Sequence, residues 1–199
     1  MKLYYAPGAC SLSPHIVALE AGIPLTLEKV DLKAHKTESG EDYYKVNPKG
    51  YVPALKLDDG HFLTEGPAIV QYLADQKPGS KLAPANGTFE RYKLQEWLGF
   101  INSEIHKNFS PLFGAASDEV KTDSKAKIAK RFDYVNGELA GKQFLFGDTF
   151  TVADAYLFVM LTWAHHVKIE LPANLAAFFS RVAQRPKVHQ AMKDEGLVK

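Results

Sequence analysis

The sequence predicts an α/β domain of element order β-α-β-α-β-β-α followed by an all-helical domain. Three observations carry this. Short β-prone runs, punctuated by Gly, Pro and Asp, occupy residues 1–76 and do not recur after them. Residues 77–87 are rich in Pro, Gly and Ala and read as a linker. Beyond them, apolar residues recur only at helical spacing. The expected organisation is therefore an α/β domain at 1–77, a linker at 78–87 and an all-helical domain at 88–199. With 199 residues, of which 46% are hydrophobic, there is enough apolar surface for a real core.

Each element follows from local chemistry. Lys2–Tyr5 is a β-prone run that stops at Pro7-Gly8. A helix starts at Ser11 or Ser13, tolerates Pro14 in its first turn and ends at Gly22. Leu25–Val30 alternates as a strand does. Glu41–Val46 makes one or two helical turns before Asn47-Pro48. Ala54–Leu57 and His61–Leu63 flank the turn Asp58-Asp59-Gly60 and predict a hairpin. Pro67–Gln76 places Ile69, Val70 and Leu73 on one helical face. The helical part reads as Thr88–Phe109, Asp118–Leu139, Thr151–Lys168, Pro172–Gln184 and Lys187–Glu195.

Composition removes several function classes. A net charge of +1, with only a mild difference between the halves, gives no nucleic-acid or membrane-surface footprint. The single cysteine, Cys10, excludes an internal disulfide, a CxxC pair and a cysteine-built zinc site, and fits a reducing cytoplasm. No His/Asp/Glu spacing suggests a metal. The apolar run Ala155–Val167 is too short to span a bilayer and reads as a buried helix.

A few residues stand out chemically. Cys10 falls between a strand and a helix, where free N–H groups and the positive end of the helix favour thiolate; the competing expectation is a buried, inert cysteine. Pro53 cannot donate to a ladder, so Val52-Pro53 belongs at the first residue of a strand or in an ordinary turn. Glu65-Gly66-Pro67 opens a helix whose free N–H groups suit a small carboxylate, while Glu65 suits an ammonium group or simply the helix dipole. Thr151 and Asp154 have capping-box spacing behind Phe150, a structural signal. His106, near Ser103 and Lys107, reads by itself as packing or surface decoration rather than chemistry.

Taken in order and spacing, these segments resemble the cytosolic glutathione transferases, most of all the bacterial beta class. The resemblance runs nearly end to end. It rests on Lys2-Leu-Tyr-Tyr-x-Pro-Gly-Ala-Cys-Ser-Leu-Ser13, Asn47-Pro-Lys-Gly-x-Val-Pro53, Leu63-Thr-Glu-Gly66, Glu104-x-His-Lys107 and Phe150-Thr-Val-Ala-Asp-Ala-Tyr156. It implies a thioredoxin-like domain and a helical domain with the active site between them. It implies glutathione extended against Tyr51 and Val52 beside a cis-Pro53, with its γ-glutamyl end at Glu65 and Gly66. Its sulfur would lie beside Cys10, with Ser11 and Tyr5 nearby and His106, Lys107 and Ser103 bordering the pocket. Ser103 would reach across a homodimer interface. Where the family places a lysine for the glycyl carboxylate, this chain has His35 between Lys33 and Lys36, so three side chains compete for that contact. Gly99 stands where relatives often carry Asn.

The resemblance implies an enzyme that adds the glutathione thiol to small hydrophobic electrophiles, a detoxifying transferase with glutathione as co-substrate and no permanently bound cofactor. Two other outcomes stay open: a glutathione-dependent thiol oxidoreductase working through Cys10, and a non-catalytic binder of hydrophobic ligands. Lowering a thiol pKa from about 8.5 to about 6.5 raises the thiolate fraction roughly twelvefold at about pH 7.4. It costs about eightfold in intrinsic nucleophilicity. Large acceleration must therefore come from holding both reactants and stabilising the leaving group.

Overall fold

The computed structural model describes residues 1–199 as two compact units. The first comprises Met1–Ala83 together with Gln184–Lys199, the second Pro84–Ala183. The first unit is built on a five-stranded sheet of β1 (Lys2–Tyr5), β2 (Thr26–Asp31), β3 (Lys36–Thr37), β4 (Ala54–Lys56) and β5 (Phe62–Thr64), in spatial order β3-β2-β1-β4-β5. β1 runs parallel to β2, joined through α1 (Leu12–Glu20), and antiparallel to β4, which pairs with β5 across the tight turn.

Side chains alternate across this sheet. Tyr4, Val30 and Ala54 bury one face under Tyr43 and Val46 of α2 (Tyr43–Val46). Leu3 and Leu55 point the other way, the side left for α1 and α3 (Gly66–Gln76), which pack on each other through buried Leu12, Ile16 and Val17 and buried Ile69, Val70 and Leu73. The β4/β5 register pairs Ala54 with Thr64. It thereby sets the Val52-Pro53 peptide, which is cis, beside the start of α3 at Glu65-Gly66.

The second unit is helical: α4 (Phe89–Phe100), a π-helical stretch (Ile101–His106), α5 (Lys107–Phe113), α6 (Asp118–Glu138), α7 (Val152–His166) and α8 (Ala173–Ala183). Helix α7 is buried from Val152 to Leu161, and α4, the π-helical stretch and α8 pack around it. No helix is long and apolar enough to cross a membrane.

Three departures from the sequence expectation have physical causes. β3 is two residues long and carries no apolar pattern, so only its pairing with Val30 and Asp31 defines it. The single helix expected over Thr88–Phe109 widens into the π-helical stretch and then continues to Phe113, past the expected end. The final helix, α9 (Pro186–Asp194), was expected with the helical domain but packs on α1 of the first unit. Its attachments are long-range ones that periodicity cannot reveal: Arg185 makes a bidentate pair with Glu20 (2.8 and 2.9 Å), and Glu195 meets His15 at 3.0 Å.

Candidate active site

The segment after β1 is a tight turn followed at once by α1. Ala9 N–H donates to Ala6 C=O (3.0 Å) around Pro7-Gly8, and Gly8 sits at φ 70°. Pro then Gly with positive φ is the chemistry of a type II turn. Ser11 is fully buried, and its hydroxyl both accepts from Ala6 N–H and donates to Ala6 C=O, each at 3.2 Å. The Ser11 hydroxyl, expected near the glutathione sulfur, is thus occupied in closing the turn. Ser13 likewise donates to Cys10 C=O (2.9 Å).

Cys10 is half-buried, and its thiol donates to Val52 C=O at 3.3 Å. Burial pushes the thiol up to about 12. The N–H groups of Cys10 and Ser11 pull the other way, as expected at a helix start, but by less, and Glu65 adds a small upward push. The thiolate-favouring environment anticipated from sequence is therefore overturned. Its donors are present, and desolvation outweighs them. Tyr5 is also raised, first by burial and then by Glu195, Glu38 and Asp194, so this phenol is not primed to ionise.

Near Cys10, Tyr51 C=O accepts from Asn47 Nδ2 (2.7 Å) and from Tyr43 Oη (3.1 Å), which fixes the backbone entering Val52-Pro53. Glu65 stands at φ 71°, a conformation that side chains rarely adopt and that a fold retains where it is held from several sides. Its Oε1 takes Lys49 Nζ and, at 3.4 Å, Tyr51 Oη, leaving Oε2 for a further donor. At the start of α3, Ala68 and Ile69 N–H both donate to Glu65 C=O, and Pro67 has no N–H. The Gly66 N–H is thereby left for an incoming acceptor.

The 33–36 segment is a tight turn: Asp31 Oδ1 accepts from Lys33 N–H (2.8 Å) and Ala34 N–H (3.0 Å). His35, at φ 49°, stacks on Tyr44 with 4.4 Å between ring centroids, and its buried Nδ1 has no partner within the protein. Lys33 and Lys36 are exposed to either side of it.

In the second unit, Ser103 and Lys107 are exposed, whereas His106 is half-buried on the π-helical stretch. Its Nδ1 meets Tyr156 Oη at 2.5 Å, and Tyr156 in turn donates to Asn102 Oδ1 at 2.9 Å. With the Tyr156 proton used on Asn102, the proton between Tyr156 and His106 is assigned to Nδ1, which leaves Nε2 as an acceptor. Burial lowers His106 to about 4, so the ring is neutral at pH 7. It also packs edge-on against Trp163 (4.9 Å), which continues into Phe109 and Phe113. These rings form an apolar aromatic wall. Thr151 and Asp154 close a capping box at the start of α7, and the buried carboxylate also accepts from Leu145 N–H.

Comparison with known proteins agrees with this layout. The glutathione S-transferase N-terminal domain model matches residues 8–76, and the glutathione S-transferase C-terminal domain model matches residues 100–186. Glutathione S-transferase GstA of Escherichia coli O157:H7 is 49% identical over 200 residues, covering 99% of this chain and 100% of that protein. The chain belongs to the glutathione S-transferase family. Among solved structures, a ternary complex of BphK, a bacterial transferase of this family, is 57% identical with a TM-score of 0.97 and covers 99% of this chain and 100% of that one. A bacterial beta class transferase from Sphingomonas chungbukensis is 51% identical with a TM-score of 0.96 over 100% of both chains.

Within this transferase fold, sequence reasoning missed Lys49, Tyr156, Asn102 and Trp163. Lys49 and Tyr156 lie inside the quoted motifs but carry no signal for their partners, which are 16 and 50 residues away. Trp163 sits seven residues beyond Tyr156, two turns along α7, and that helical spacing was its one available signal.

Proposed function

We propose that this protein is a glutathione transferase that conjugates the glutathione thiol to small hydrophobic electrophiles. The observation that carries the reading is the Val52 carbonyl. It bears the Cys10 thiol, and the β4/β5 register sets it next to Glu65 and the free N–H of Gly66. An extended tripeptide fits that edge by strand addition. Its cysteinyl amide pairs with Val52, its γ-glutamyl ammonium takes Glu65 Oε2, and its carboxylate takes the start of α3. The glycyl carboxylate falls to Lys33, His35 or Lys36; the unpartnered His35 Nδ1 supports His35.

When the ligand amide takes over Val52 C=O, the Cys10 S–H is released to donate to the glutathione thiolate. The glutathione thiol loses its proton to solvent, the resulting thiolate is the nucleophile on the electrophile's carbon, and the leaving group departs with its electron pair. A neutral Cys10 suits this donor role. It favours conjugation over an oxidoreductase in which Cys10 must itself attack a disulfide. In the second unit, neutral His106 has Nε2 as an acceptor, and Trp163 and the exposed Phe113 present apolar rings. Ser103 and Lys107 are assigned to glutathione contacts, Ser103 across a homodimer, and the cytoplasm is the assigned compartment.

The test is steady-state turnover of an aryl halide and of a glutathione mixed disulfide by wild type and Cys10→Ala. Conjugation that survives in Cys10→Ala is the expected result. Loss of both reactions in the variant contradicts the reading.

A further inference from the structure

The end of the chain is tied to the turn that carries Cys10. Helix α9 stops at Gly196, whose φ of 72° allows Leu197 N–H to return to Met192 C=O (2.8 Å) and Gly196 N–H to Lys193 C=O (2.9 Å). This is a Schellman stop. It leaves Glu195 at the C-cap with its side chain fully buried. Glu195 Oε2 accepts from Gly8 N–H at 2.9 Å, and its Oε1 faces His15 Nδ1 at 3.0 Å. His15, itself 2% exposed on α1, has its other ring nitrogen 3.7 Å from Asp194 Oδ2. Leu197 lies against Gly8, 3.3 Å from where a side chain would begin.

Two acidic residues at the end of a helix oppose the helix dipole, which favours cations there. Placing one of them wholly inside the protein adds a desolvation cost unless it is well bonded. Natural sequences break such local rules mainly where a function compensates. Here the compensation is specific: the buried carboxylate holds the Gly8 N–H of the type II turn, two residues before Cys10.

We propose that Glu195, braced by His15, is a positioning residue that fixes the Pro7-Gly8 turn so that the Cys10 thiol stays on Val52. Glu195 touches neither Cys10 nor the edge at Val52. It acts through the turn, and the last residues of the chain are part of the apparatus that sets the thiol. Arg185 offers a built-in control, because its bidentate pair joins the same helix to Glu20 of α1.

Cys10 is the only cysteine, so its alkylation by iodoacetamide in the folded protein reports on the thiol without any assumption about catalysis. Wild type, Glu195→Ala, His15→Ala, His15→Gln and Arg185→Ala are compared at a temperature where circular dichroism finds each folded. Glu195→Ala removes the hydrogen bond to Gly8 and His15→Ala removes the brace on Glu195, so both should accelerate alkylation about tenfold. His15→Gln, which can still donate to Glu195, should return close to wild type, and Arg185→Ala should alter melting temperature but not alkylation. If Glu195→Ala does not fold, the His15→Ala and His15→Gln pair decides alone. Equal acceleration in Arg185→Ala, or no acceleration in the Glu195 and His15 variants that fold, overturns the proposal.

Discussion

Two helix starts in this protein each hold a titratable side chain, and they treat it differently. At the start of α1, Cys10 has only the N–H groups of Cys10 and Ser11 to favour its charged form, and its thiol rises to about 12 from a usual 9.0. At the start of α7, Asp154 accepts from Leu145 N–H, Thr151 N–H and the Thr151 hydroxyl, each at 2.8 Å, and rises only to about 6 from 3.8. Burial is the leading cause at both. A helix N-terminus therefore stabilises an anion only as far as its donors reach the charge. The dipole alone contributes about 0.3–1 kcal/mol, less than one pKa unit of about 1.4 kcal/mol.

The contrast can be broken by removing the donors' target. Asp154→Ala orphans buried donors and should cost about 2–4 kcal/mol, whereas Thr151→Ala should cost about 0.5–2 kcal/mol, in the ordinary capping range. Urea denaturation midpoints measure both, and equal small shifts would show that the carboxylate is not the centre of the cap. A third helix start, that of α3, extends the comparison to a bound ligand. Glu65→Ala should weaken glutathione binding by about 1.5–3 kcal/mol in calorimetric titration, roughly tenfold to a hundredfold in Kd. An unchanged Kd would remove Glu65 from the site.

A smaller effect appears in the pH dependence of stability. Asp154 is raised in the folded state, so it binds its proton more tightly there. Its stabilising contribution is full below about pH 4 and is lost as pH rises through about 6. His106 is lowered to about 4 from 6.5, so its contribution is full above about pH 6.5 and is lost as pH falls through about 4. The two slopes oppose each other, each at most about 1.4 kcal/mol per pH unit. Wild type should be nearly flat between about pH 4.5 and pH 6. Asp154→Asn should lose stability on acidification, and His106→Phe should gain it. Parallel profiles in all three proteins would contradict both assignments.

Much of this was legible in the sequence, because the signals were local. The hairpin turn at Asp58-Asp59-Gly60, the helix opening at Gly66-Pro67 and the Thr151/Asp154 spacing are all set within a few residues. The place of Cys10 between a strand and a helix is legible in the sequence, but its titration is not. Its burial and its contact with Val52 C=O, 42 residues away, arise only on folding. The attachment of α9 to the first unit was hidden for the same reason, since His15 and Glu195 are 180 residues apart. Tyr156 falls within the Phe150–Tyr156 motif, yet nothing in its neighbourhood points to His106.

Burial overrides the helix start at Cys10, and the pH profile of its alkylation in the ligand-free protein tests this. Iodoacetamide reacts with thiolate, so the logarithm of the rate should climb by one unit per pH unit from about pH 6 to about pH 10 without levelling. A plateau with a midpoint below about pH 8 would mean that the backbone donors of α1 outweigh burial and would contradict a raised Cys10 thiol.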